Sequence, residues 1–533
     1  MRRSRWTAAL LLMFAAVALH ADAPGVYAIT GGTVHTVSGA EIPNGTVIIR
    51  DGLIEAAGAG LTIPADAVVI DATGQHVYPG LIDSQTAVGF PAARPVARRR
   101  GGGAPTQRSE QPALPETSAA YEAVRNVKLS DDDLDARRET GVTTIVTAPS
   151  FGIFNGQSVI LNLGDGSPEW RVIRAPASMQ ISFNTRPAWT YPDSLMGVIA
   201  YIRQTFLDAQ QQVAARSIYE RNPAGNRRPD DSPAIDALSP VLRRELPVVF
   251  VADTELMMRR AQAIARELNL RPIYSGARQA YRMADELKAA GTPVLVSVKW
   301  PAPPAEKDDR EDQPLRVIRD RQLAPTTPAA LAKSGVAFAL VSGPGKAADF
   351  LPGIRKAIDN GLSADDALRA TTLWPARIFR IDRQLGSIDR GKIANIVVTD
   401  KPIFAKEAKV KRLLVDGREI RLPAEEKKEK GEAGSAIDGG WDLAVRSPGG
   451  DVSIHVTLHS ENGKLTGTFS GDRGSGDIRG GTVDGTSVEL TISVRAEAEA
   501  NDWVFHGTLS DGSLSGTVST NLGTFQFTGR RSR

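Results

Sequence analysis

Tyr78-Pro79-Gly80-Leu81-Ile82-Asp83-Ser84-Gln85-Thr86-Ala87 is the stretch on which the fold turns. Read as a strand, its period of two sets Asp83, Gln85 and Ala87 on one face. No imidazole is among them. The six histidines of the chain are His20, His35, His76, His455, His459 and His506, so the interval from Val77 to Ile454 has none. Cysteine is absent throughout, which removes disulfides, thiolate nucleophiles and sulfur-held metals together. A zinc site needs about three or four His, Cys or carboxylate ligands around one point. Within this interval only Asp and Glu remain to supply them.

Outward from this stretch, apolar runs with strand character alternate with helical ones. Strands are expected at Val142 to Ala148, Pro247 to Ala252, Pro293 to Val298 and Val336 to Val341. Helices are expected at Leu195 to Glu220, Leu256 to Leu268, Arg278 to Ala290 and Ala364 to Ala370. Runs of Val, Ile and Leu without alternation indicate strands buried on both faces, as in a parallel sheet covered by helices. That pattern fits an open α/β sheet and a closed barrel equally. Short β segments with turn signals fill Tyr27 to Ile70, and a matching group occupies Ala394 to Gly417. Neither group can bury a core alone, so both are expected in one small discontinuous sheet domain.

At 533 residues the chain is too long for one core. Its hydrophobic content of 41%, charged content of 23% and net charge of +3 are ordinary for a globular protein and do not suggest nucleic acid as a partner. Arg2, Arg3 and Arg5 precede an apolar run from Ala8 to Leu19, and Ala21-Asp22-Ala23 has the form of a cleavage site. The run is short of the roughly 20 residues needed to span a bilayer. Residues 1–23 therefore read as a secretory signal, cut there or after Ala21, with export to the periplasm or beyond. Arg94 to Ser118 and Pro301 to Pro314 read as solvated insertions; the first, above the mouth of a barrel, has the alternative of a basic lid for an acidic ligand. Residues 422–437 form a Glu/Lys/Gly linker. Beyond it, alternating strands and the near repeats Gly463 to Phe469 and Gly512 to Val518 indicate an all-β meander over 438–533, closed as a barrel or a sandwich. His455 and His459 have no third partner nearby in sequence, so no metal site is expected there.

The opening stretch resembles the P-G-L-I-D-x-H-x-H signature of the amidohydrolase superfamily, in its imidazolonepropionase-like branch. Gly141-Val142-Thr143-Thr144-Ile145 and the closing block Gly361-Leu362-Ser363 to Thr372, Pro375-Ala376, Leu385 to Ile388 and Gly391 to Val398 carry the same resemblance. It implies a (β/α)8 barrel over 79–383, with residues 24–78 and 384–421 as a composite β-sandwich domain. It also implies one or two divalent metals such as zinc, whose bound water attacks a non-peptide carbon–nitrogen bond. Each ligand position it implies is occupied by something else. Gln85 and Ala87 replace the first two histidines, Val251 the next, and Tyr274 or Ser275 another. The catalytic Asp falls within Val341 to Pro344, at Ser342. Asp83 lies one layer below the metal position and is retained in the family. Asp253, on the face of Val251, and Lys299, ending a strand, are the charged candidates for the mouth, Lys299 having the alternative of a snorkelling surface residue. Ser275 and Ser342 have no barrel histidine to act as a base.

The leading expectation is therefore an exported amidohydrolase-related protein with its metal site lost and no cofactor. It keeps a small-molecule site at the mouth, or assembles with itself or with a catalytically complete relative. The alternatives are an active hydrolase of cyclic amides or small peptides using a non-histidine site, and an accessory module led by the C-terminal β domain.

Overall fold

The computed structural model describes residues 25–91, 118–166, 171–185, 191–304, 313–343, 345–422 and, with short breaks at strand turns, 437–532. The signal-like segment, most of the insertion at 94–118, part of that at 301–314 and almost all of the linker lie outside the described residues. The chain divides into two units, 1–422 and 423–533.

In the first unit, an eight-stranded sheet draws on both ends of the sequence. It contains β1 (Val26–Val34), β2 (Ile42–Arg50), β3 (Leu53–Ala59), β4 (Val68–Asp71) and β5 (His76–Pro79). The remaining strands of this sheet, β16 (Ile396–Thr399), β17 (Val410–Val415) and β18 (Arg418–Ile420), join through β5, whose Val77 and Tyr78 pair with Val398 and Val397. The order β18-β17-β16-β5-β1-β2-β3 is one hydrogen-bonded path, with β4 beside β1. Ile29, Val47, Ile49, Val77, Ile396 and Leu414 meet in its core. The path folds back on itself: Leu53 of β3 bridges to Ile393, and Ala394 N–H donates to the carbonyl of Gly52. The hairpin turns Asp51-Gly52 and Asp416-Gly417 both take positive φ, as tight two-residue turns require. They touch backbone to backbone, for a Cβ on Gly417 would lie 2.4 Å from the Cα of Gly52.

Between these strands lie two further sheets. One is a parallel run of β11 (Met179–Ser182), β12 (Val248–Ala252), β13 (Pro272–Gly276), β14 (Val294–Ser297) and β15 (Phe338–Val341), with β8 (Phe154–Gln157) antiparallel at its edge. The other pairs β6 (Leu81–Thr86) in parallel with β7 (Val142–Thr147), then β9 (Val159–Asn162) and β10 (Val172–Arg174) in antiparallel. Alternation along the strands separates two apolar layers. Ile82, Val146, Ile160, Val249, Ile273, Leu295 and Ala339 pack together on one side with Phe379 and Leu385. Leu81, Ile145, Leu161, Val248, Tyr274, Val294 and Phe338 pack on the other, together with helix residues such as Phe206, Ile264 and Ile354. The edges of the two sheets are linked: Gly343 N–H donates to the Gln85 carbonyl at 3.1 Å, and Ser158 N–H to the Ser178 carbonyl at 2.8 Å.

Two local expectations change. Arg278 to Ala290 is not one helix: a 3-10 turn at Ala280–Met283 precedes Ala284–Ala290, because Met283 adopts φ −123° between them. Strands β8 to β11 lie in a stretch with no strand expected, since their pairing partners, not long β-branched runs, hold them extended.

The second unit is a closed barrel of eight antiparallel strands running from Gly439–Ser447 to Gly523–Arg531. Closure comes from pairing of the first strand with the last, Trp441 opposite Arg531 and Val445 opposite Phe527. Trp441, Val456, Leu490, Phe505 and Phe527 fill it, and the Trp441 indole donates to the Ile437 carbonyl at 2.8 Å. The near repeats fall on its third and seventh strands, Lys464–Gly471 and Ser513–Thr520. His455 and His459 are paired separately, with Asp442 at 2.7 Å and Asp438 at 3.3 Å.

Candidate ligand site at the strand ends

The C-terminal ends of the strands surround a cavity of about 460 Å³. Gln85, Ala87, Val251, Asp253, Ser275 and Lys299 all line it, so six of the eight residues singled out in the sequence come together here. Asp83 and Ser342 do not line it. Both are buried beneath, where Ser342 gives its backbone N–H to one carboxylate oxygen of Asp83 at 3.0 Å and its hydroxyl to the other at 2.5 Å. Burial pushes the Asp83 carboxyl up to about 6, against the lowering effect of the Ser342 bonds and of the Arg137 charge. Asp83 is thereby a strut between β6 and the end of β15 and not a pocket group.

At the level of Gln85, the side chains form a neutral chain. Gln85 Nε2 donates to Gln180 Oε1 at 3.2 Å, Gln180 Nε2 to Ser178 Oγ at 2.9 Å, and the Ser178 and Ser158 hydroxyls are 2.6 Å apart. Val251, level with Ser182 and Ser275 in the ladder, turns an exposed isopropyl group to the cavity. Tyr274, the alternative to Ser275, faces the helix side instead, where burial raises its hydroxyl pKa. Two buried amide oxygens at the cavity, Gln85 Oε1 and Asn155 Oδ1, have no hydrogen-bond partner. A buried acceptor left without a donor costs on the order of 1–3 kcal/mol.

The charges sit higher. Strand β12 ends at Ala252, and Thr254 caps the following helix, Glu255–Glu267, by accepting from Met257 N–H. Asp253 between them takes Arg278 Nη2 at 2.8 Å. Gly276 makes this pair sterically feasible: its φ is +88°, and a Cβ there would lie 2.0 Å from Asp253 Oδ1. Lys299 lines the same cavity, is exposed, and has no ion-pair partner among the described residues. Gln180, Asn155, Ser182 and Arg278 were missed in the sequence because no charged or histidine motif marks them.

This donor set does not fit a catalytic divalent metal. Zinc calls for three or four imidazole, thiolate or carboxylate ligands; the positions hold two amides, hydroxyls, a methyl and an isopropyl group. The one carboxylate lining the cavity among the described residues, Asp253, is already neutralised by Arg278. Among the described residues no three His, Asp or Glu side chains converge closely enough to hold a metal ion. What the arrangement offers is hydrogen bonding: unpaired acceptors below, hydroxyls around and a cation at the rim. Among the described residues, no helix is long and apolar enough to cross a membrane.

Residues 320–420 match the Amidohydrolase family. The chain is 24% identical over 439 residues to an imidazolonepropionase of Symbiobacterium thermophilum, covering 72% of this chain and 92% of the relative. Its fold matches the crystal structure of an amidohydrolase from Thermotoga maritima at a TM-score of 0.62 and 22% identity, over 74% of this chain and all of that one. The family match over residues 320–420 and the shared fold agree with the motifs from Pro79 to Asp83 and from Gly361 to Val398, so that over these stretches the chain is similar to amidohydrolases.

Proposed function

We propose that this protein is an exported, noncatalytic member of the amidohydrolase superfamily whose strand-end cavity binds a small polar molecule. The observation that carries the reading is the Gln85–Gln180–Ser178–Ser158 chain, which puts neutral amides and hydroxyls where metal chemistry needs charged donors or imidazole. Without a metal, the metal's own two roles, polarising the carbonyl and supplying hydroxide at neutral pH, are lost. Among the described residues, no histidine lines the cavity beside Ser275 to make it a nucleophile. The two unpaired amide oxygens favour a ligand with N–H or O–H donors. The reading includes a single closed (β/α)8 barrel over 79–383, which the linked sheet edges and the shared inner layer of side chains support. It also includes the composite β domain at 24–78 and 384–421, removal of residues 1–23 on export, and assembly as a homo-oligomer or with a catalytically complete relative.

The test is metal analysis of the purified protein beside turnover assays. We expect less than a tenth of an equivalent of transition metal. We also expect no chelator-sensitive hydrolysis of cyclic amides, such as the imidazolone suggested by the Symbiobacterium relative, or of dipeptides. About one equivalent of metal with metal-dependent turnover would establish the opposite reading, an active hydrolase.

A further inference from the structure

Arg137 and Arg138 end the helix Asp131–Arg138 and are both 5% exposed. Their surroundings differ. Arg138 donates to the Leu163 carbonyl at 2.8 Å, to Asp165 at 2.7 Å and to Asp135 at 3.3 Å. Arg137 has no ion pair among the described residues, and its buried Nε has no hydrogen-bond partner. Burial lowers its pKa, with the Asp83 and Asp133 charges acting in the other direction. Both acids are committed elsewhere, Asp83 to Ser342 and Asp133 to the Ser130 hydroxyl and N–H. A buried guanidinium in this state is costly until an anion meets it.

Arg137 lines a cavity of about 1020 Å³ whose wall also carries Lys128, an exposed cation without an ion pair among the described residues. Ala87, Ser150 and Gly343 belong both to this wall and to that of the strand-end cavity. We propose that the Arg137 cavity is an oxyanion subsite continuous with the mouth, holding the carboxylate or phosphate of the small molecule bound there. Arg137 is a planar fork suited to two parallel bonds to such a group, and Lys128 adds charge at the entrance. That the rest of the ligand reaches the mouth rests on the function proposed above; the oxyanion site itself does not.

The experiment is thermal unfolding of the full mature chain in inorganic phosphate, in acetate and in chloride matched for ionic strength. Phosphate or acetate should raise the melting temperature above chloride, on the order of 2 °C at ten times the dissociation constant. Whichever of the two acts identifies the group as phosphate or carboxylate. Arg137→Met should abolish the response and, in chloride, melt no lower than the parent, since it removes an uncompensated charge. Gln85→Leu, which alters only the mouth, should keep the response, so that loss of the mouth reading and loss of this one separate. Should Arg137→Met not fold, Arg137→Lys should weaken anion binding at least several-fold. An anion response that is absent in the parent, or unchanged in the Arg137 variants, overturns the proposal.

Discussion

Ser342 gives both its backbone N–H and its hydroxyl to the one carboxylate of Asp83, tying the end of β15 to β6. The pair is a structural one, buried on both sides. Because the Asp83 pKa lies at about 6 in the fold, above its ordinary 3.8, the folded state binds more protons than the unfolded state between those values. Stability from this group is complete below pH 4 and is lost as pH rises through about 6, by on the order of 3 kcal/mol. Asp83→Asn keeps an acceptor and a donor facing Ser342 and removes the charge. Chemical denaturation should show it at least as stable as the parent at pH 7 and without the parent's slope between pH 4 and 6. Ser342→Ala should instead lose about 1–3 kcal/mol.

Restoring two imidazoles should not restore a metal. In Gln85→His with Ala87→His, Val251, Ser275 and Ser342 still offer no charged ligand, and the bond to Gln180 is broken. Metal content after dialysis against zinc should stay well below one equivalent, with no gain in turnover.

At the rim, Gly276→Ala puts a methyl group against Asp253 at a backbone angle that L residues rarely adopt. The Asp253–Arg278 pair should be displaced and the melt lowered, by about 1–3 kcal/mol. An unchanged melting temperature would show that the pair moves freely.

The parallel strands were legible because runs such as Val248-Val249-Phe250-Val251 and Val294-Leu295-Val296 are apolar and β-branched on both faces. The stretch Phe154-Asn155-Gly156-Gln157 was not. Gly156 sits at φ +95° with the Tyr121 carbonyl so close that a Cβ would lie 2.3 Å from it, and pairing with β11 makes the strand. This is why Asn155 and Gln180, which define the mouth, escaped notice while Gln85 and Ala87 stood out. The C-terminal strands were legible as strands, but alternation is the same in a sandwich and a barrel; only Trp441 opposite Arg531 decides for closure.

That barrel should fold alone. Residues 438–533 expressed separately should melt cooperatively with a β-type circular dichroism spectrum, since Trp441, Phe505 and Phe527 bury one core. A chain ending near Arg380, in contrast, lacks β16 to β18 and leaves β5 with an open edge. It should aggregate, and a soluble, folded product would refute the shared sheet.

The contact of Gly52 with Gly417 has a consequence for synthesis. Strand β5 waits for β16, about three hundred residues later in the chain. At roughly 5–20 residues per second, that is a delay of about 15–60 s in which the edge of β5 away from β1 stays open. Contacts so distant in sequence also form late in refolding. The amino-terminal sheet is thus the last part of its unit able to close, and a chaperone has that interval in which to hold it.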